Sequence, residues 1–108
     1  MRTATAARGL VGGACVLAPW ALLATVGGPD RDDPRVAAVA RVLGARLLLQ
    51  AALDVAKGRR TRHLDAAVEL SHAASMLPVA ALWPLHRRSA LVSAAVATGI
   101  AVLDLAGL

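Results

Sequence analysis

The stretch RVLGARLLLQAALDVA, residues 41–56, followed after a basic turn by HLDAAVELSHAASM, residues 63–76, decides how this chain folds. Both stretches are apolar enough for helices, yet each carries ionisable groups at helical spacing. Arg46, Gln50 and Asp54 recur at i, i+4 and i+8, within less than a quarter of the helix circumference. Asp65, Glu69, His72 and Met76 recur at i, i+4, i+7 and i+11, again a single stripe. In lipid, a centrally placed ionised side chain costs about 2.5 to 3.5 kcal/mol on insertion scales, so such groups normally turn toward one another. The two stripes therefore predict a hairpin with facing polar sides.

Energetics support that reading over a lone amphipathic helix. In residues 35–56 the apolar residues Val36, Val39, Val42, Leu43, Leu47, Leu48, Leu49, Leu53 and Val55 favour insertion by about 3 to 5 kcal/mol together. Arg46 offsets most of this, while Arg41 can snorkel and Asp54 lies near the basic turn. The helix is expected to enter beside residues 63–83, polar sides inward. A turn centred near Arg59 and Arg60 puts Asp54 level with Asp65, Gln50 with Glu69, and Arg46 with His72 and Ala73. Arg46 and Glu69 then differ by one helical turn, about 5.4 Å, which a guanidinium spans. The expected site is an Arg46–Glu69 ion pair with Gln50 donating to Glu69 and His72 nearby. Lys57, Arg59, Arg60 and Arg62 would neutralise Asp54 and Asp65.

Working outward, four apolar segments emerge at residues 9–27, 35–56, 63–83 and 89–107, separated by GPDRDDP, KGRRTR and PLHRR. The first has no charge and reaches the length of about 20 residues that crosses a bilayer. Its start, MRTATAAR, also fits a signal peptide, but a good A-x-A site is missing and more apolar segments follow. The fourth carries only Asp104, near enough its end to reach the interface. Pro78 is expected to kink the third segment. Gly9 with Gly13, Ala40 with Gly44, and Ala95 with Gly99 have the small-xxx-small spacing of close helix packing.

Composition agrees. Of 108 residues 57% are hydrophobic, with neither Phe nor Tyr, and alanine, leucine and valine dominate. A net charge of +5 raises nucleic acid as a partner, but the cations sit between apolar segments rather than in a stripe, and read as topology signals and lipid head-group contacts. With the N-terminus cytoplasmic, Arg2, Arg8, Lys57, Arg59, Arg60 and Arg62 fall inside and Arg31, Arg35, Arg87 and Arg88 outside, a six-to-four bias. Trp20 and Trp83 then lie toward the outer interface. The single Cys15 rules out an internal disulfide and reads as a small packing residue.

Enzyme motifs are missing: there is no P-loop, G-x-S-x-G, dinucleotide fingerprint or H-E-x-x-H. Ser71 and His72 point about 100° apart on a helix, which disfavours a nucleophile and base pair. His72 with Met76 supplies one imidazole in its span, and His63 and His86 fall at opposite surfaces, so no metal or cofactor is expected.

In size and number of spans the chain is similar to the small multidrug resistance transporters, but their functional carboxylate lies in a first helix that here has no charge, so no role carries over. RVLGARLLLQ at 41–50 with ELSHAASML at 69–77 resembles the central hairpin of uncharacterised small four-helix membrane proteins of high-GC bacteria. That resemblance implies no activity. The expectation is an all-α, four-helix transmembrane bundle with antiparallel up-down topology, forming one domain over residues 1–108. It is multi-pass in the inner (plasma) membrane, with both termini cytoplasmic. A structural or partner-binding role, as a homo-oligomer or accessory subunit, is expected rather than catalysis. The alternative is a small proton-coupled transporter in which Glu69 and His72 exchange protons and Arg46 tunes the carboxylate. A soluble helical bundle is the third possibility.

Overall fold

The computed structural model describes residues 2–108, with Gly58 and Arg59 described by backbone alone. Among the described residues the chain is helical throughout, without strands. Five α-helices follow in order: α1 (Thr3–Leu17), α2 (Pro19–Leu22), α3 (Pro34–Lys57), α4 (Arg62–Leu82) and α5 (Arg87–Leu105). Short π- and 3₁₀-helical turns at Leu23–Gly27, Gly28–Asp30, Gly58–Thr61 and Pro84–His86 join them. Runs of Ala, Leu, Val and Arg with few breakers account for the lengths of α3, α4 and α5, about 36, 32 and 28 Å at 1.5 Å per residue.

The expected first span at residues 9–27 is not one helix. It breaks at Ala18, and Pro19–Asp30 turns away from Thr3–Leu17 by 102°. Pro19 lacks the N–H that would continue α1, but it suits the first position of a new helix, where no such bond is needed. Hydropathy is blind to this, because proline costs the backbone a bond without making the segment polar. Alone, α1 is about 22 Å long. The helix α3 and the segment Pro84–Leu105 are each long and apolar enough to cross a membrane, and the bent pair makes a third only if taken as one span. The polar inner face of α4 lowers its hydropathy, so by length and composition two helices, or up to three, qualify as spans among the described residues. By contrast α4 runs unbroken through Pro78.

The helices pack as two close pairs, α1 on α3 and α4 on α5. In the first pair, contact is made at Gly12 and Gly44. A methyl group on Gly44 would meet Cys15 Cβ at 2.6 Å and Gly12 O at 2.7 Å, so the backbones lie too close for any side chain. The expected Gly9, Gly13 and Gly99 positions are not used this way, since a Cβ added at any of them meets nothing within 4 Å. The α1 face that packs holds Ala4, Thr5, Arg8 and Gly12, one or two positions round from Gly9 and Gly13.

Both termini lie at one end, where the Ala4 N–H donates to Leu108 O at 3.2 Å. Gly107 makes this closure possible. Its φ of 75° ends α5, with Gly107 N–H donating to Asp104 O at 3.0 Å and Leu108 N–H to Leu103 O at 2.9 Å. The turns before α3 and α5 meet at the opposite end, where His86 Nδ1 is 2.7 Å from Asp30 Oδ1.

Side-chain placement is inverted relative to a water-soluble bundle. Inward positions are mostly small or charged: Ala4, Ala37, Ala66, Ala73, Ala80, Ala90, Ala97 and Ala101 are buried together with Arg8, Asp54, Asp65, Glu69 and Asp104, and Leu23, Leu47 and Ile100 are the large apolar side chains among them. Outward positions are large and apolar, with Leu17 85%, Leu10 76% and Val42 70% exposed. The backbone contact at Gly12 and Gly44 sets the α1–α3 distance. Gly44→Ala should therefore destabilise the protein by about 1 to 3 kcal/mol through overpacking, whereas Gly13→Ala should leave thermal unfolding in detergent unchanged.

Candidate functional site

The inward faces of α1, α3, α4 and α5 all end in charge at the terminal end of the bundle. Arg8 is at the centre, with no exposed surface. Thr5 and Arg8 lie three apart on α1, on the face that also buries Ala4 and Gly12, so packing of α1 forces the guanidinium between the other helices. Arg8 Nε donates to Glu69 Oε1 at 3.2 Å, and Nη1 donates at 3.0 Å to both Asp54 Oδ2 and Asp104 Oδ1. Nη2 donates to Asp104 Oδ2, completing a two-pronged grip on that carboxylate. One guanidinium thus joins carboxylates from α3, α4 and α5.

Further groups surround this centre. Arg2 Nη1 donates to Asp104 Oδ1 at 3.2 Å, while Nη2 lies 3.6 Å from Asp54 Oδ2 and 3.8 Å from Asp65 Oδ2. The Thr5 hydroxyl donates to Asp54 Oδ2 and the Thr61 hydroxyl to Asp65 Oδ2, each at 3.2 Å. Arg46 Nη2 is 3.7 Å from Glu69 Oε2, and its Nη1 donates to Gln50 Oε1 at 2.7 Å. Three guanidiniums therefore face four carboxylates, leaving one negative charge in formal excess. Asp54 Oδ1 is buried and accepts no hydrogen bond.

The structure brings Arg46, Gln50, Asp54, Asp65 and Glu69 into one network, but with different partners from those the hairpin alone implies. Gln50 accepts from Arg46 rather than donating to Glu69. Asp54 and Asp65 are neutralised by Arg2 and Arg8 from α1. Lys57 and Arg60 are exposed instead, and the Arg59 side chain lies outside the described residues. His72 turns toward α5, with Nε2 2.6 Å from Ser93 Oγ. Ser71 bonds back to Ala67 O at 2.8 Å on the exposed side of α4.

Sequence reasoning missed Arg8, Arg2, Thr5 and Asp104. Arg8 reads as a flanking topology cation and Asp104 as an interfacial acid, yet both are completely buried. A signal existed in charge counting. The hairpin stripes hold three acids against one arginine, Arg46, so further cations are needed, from the adjoining KGRRTR turn or from another helix. Antiparallel alternation puts the start of the first helix and the end of the last beside those acids.

No family model, curated protein or solved structure matches the chain. Arg8 uses four of its five N–H donors in a planar fork, which a lysine ammonium cannot copy. Arg8→Met should strand buried carboxylates and cost about 3 to 5 kcal/mol. Arg8→Lys should recover only part of that loss when thermal unfolding is followed by circular dichroism in detergent.

Proposed function

We propose that this chain is a small multi-pass membrane protein with a structural or partner-binding role, working as a homo-oligomer or as an accessory subunit. The observation that carries the reading is Arg8, wholly buried and hydrogen-bonded to carboxylates on three other helices, inside a bundle whose outer surface is leucine and valine. In water the favourable arrangement is the reverse, with the charged groups outside; lipid makes this one favourable. The four long helices then lie in the bilayer as an antiparallel bundle, with α2 turned along the interface. Trp20 and Trp83, 45% and 54% exposed, lie at the end away from the ion network, where indoles suit the head-group layer.

The network acts as a lock. It joins the α1–α3 pair to the α4–α5 pair from the bundle end, at Asp54, Asp65 and Asp104, inward through Glu69 to Arg46 at the middle of α3, so that each buried charge meets an opposite one. The six-to-four excess of Lys and Arg on that side, read during insertion before the network closes, directs both termini to the cytoplasm. The partner surface is the outer face of α1 and α3, a shallow apolar groove lined by Thr5, Ala6, Gly9, Leu10, Ala51, Ala52 and Val55. Gly9 leaves it open to close approach of another helix.

A second reading has its own observation. The excess carboxylate and the unpartnered Asp54 Oδ1, in one network with Glu69 and Arg46, form the kind of buried ionisable cluster that a small proton-coupled transporter requires.

Detergent, and not alkaline carbonate, should release the protein from membranes, and release by carbonate would end the membrane assignment. Mass measurement in detergent should give a multiple of 11.0 kDa or a co-purifying partner. In liposomes loaded with a pH-sensitive dye the locked structure should pass no protons. Proton flux that disappears in Asp54→Asn and Glu69→Gln would instead establish the transporter reading.

A further inference from the structure

At the end opposite the ion network a second cluster joins the same two helix pairs. Asp30 closes the turn Gly28–Asp30, and Asp33 precedes Pro34, the first residue of α3. The Asp33 N–H donates to Asp30 O at 3.0 Å, which places both carboxylates on one tight turn. His86 ends the turn between α4 and α5, held by its N–H donating to Trp83 O at 3.0 Å. One ligand atom from each of Asp30, Asp33 and His86 lies within 4.8 Å of the others.

Proximity of acids alone would mean little, but Asp30 adds an independent observation. It is only 2% exposed, and its Oδ2 is buried without a hydrogen-bond partner. A carboxylate oxygen removed from water and left bare is costly, and a bound cation is one of the few partners that satisfies it. His86 Nδ1 meets the other oxygen, Oδ1, at 2.7 Å.

We propose that Asp30, Asp33 and His86 hold a divalent transition-metal cation of the zinc class, which clasps the two outer turns together. Zinc takes imidazole nitrogen and carboxylate oxygen at about 2.0 to 2.2 Å, and Asp33, whose Oδ1 accepts from the Arg35 N–H at 2.9 Å, keeps its other oxygen for the ion. The imidazole selects against calcium and magnesium, which prefer all-oxygen shells. Three protein ligands leave a fourth position for water. Asp33 and His86 are half-buried, so the ion enters from the aqueous side. The bundle is then joined at both ends, by Arg8 at the termini and by the cation at the turns.

The test uses the untagged full chain in detergent, stripped with a chelator and titrated with zinc chloride by calorimetry, with thermal unfolding measured in parallel. One zinc per chain should bind saturably and raise the unfolding temperature, and excess magnesium or calcium should not displace it. His86→Ala and Asp33→Asn should each weaken binding about ten-fold or more and abolish the thermal shift, while His63→Ala binds as the parent does. Asp33 is partly exposed, so Asp33→Asn should retain the helical circular dichroism of the parent and report on binding alone. Absence of saturable binding would leave Asp30 and His86 as a simple ion pair and overturn the proposal. Undiminished binding in His86→Ala and Asp33→Asn, loss of binding in His63→Ala, or displacement by magnesium would overturn it equally.

Discussion

Arg8 is a guanidinium with no access to water, and everything near it is arranged to make that tolerable. Moving an ion of this kind out of water costs several kcal/mol even after relaxation, and only well-placed opposite charge recovers it. Asp54, Glu69 and Asp104 supply that charge from three helices, and Arg2 balances the carboxylates that Arg8 does not reach alone. The helix pairs α1–α3 and α4–α5 cannot separate or slide by a turn without stranding at least one buried ion. Register and topology follow from that one restraint.

The rest of the packing uses small residues. Eight buried alanines let helices approach closely, and Gly12 and Gly44 bring backbones into direct contact. With alanine dominating the inside, and Leu23, Leu47 and Ile100 the only large apolar side chains buried among the described residues, the ion network carries much of what joins the two pairs. The large apolar side chains point outward, which makes sense where the surroundings are hydrocarbon. An ion network within and an apolar surface without are two sides of one arrangement, the one that the proposed lipid setting favours.

Legibility of this design varied by residue. The stripes Arg46–Gln50–Asp54 and Asp65–Glu69 were readable because helical periodicity puts them on one face whatever the partner. The partners were less readable. Periodicity says which way a side chain points within its own helix, but nothing about which helix stands opposite: Gln50 accepts from Arg46 instead of donating to Glu69, and His72, though within electrostatic reach of Arg46 and Glu69, bonds Ser93 on α5. The break at Pro19 escaped a reading based on hydropathy, since proline disturbs hydrogen bonding rather than polarity. Arg8 and Asp104 were hidden by position, each near the end of an apolar segment, where charges ordinarily reach water.

The amino-acid sequence by itself determined that the chain is helical and that its apolar helices carry charge along particular faces, Arg46 and Asp54 on one and Asp65 and Glu69 on the next. These are local properties, decided by propensity, spacing and composition. Only the tertiary structure decided that α1 supplies the missing charge, that Gly12 rather than Gly9 or Gly13 meets Gly44, and that Asp30 and His86 come together across 56 positions of chain. Those outcomes depend on how separate helices rotate and settle against each other, and side chains far apart in sequence compete for the same partner only once the bundle has closed.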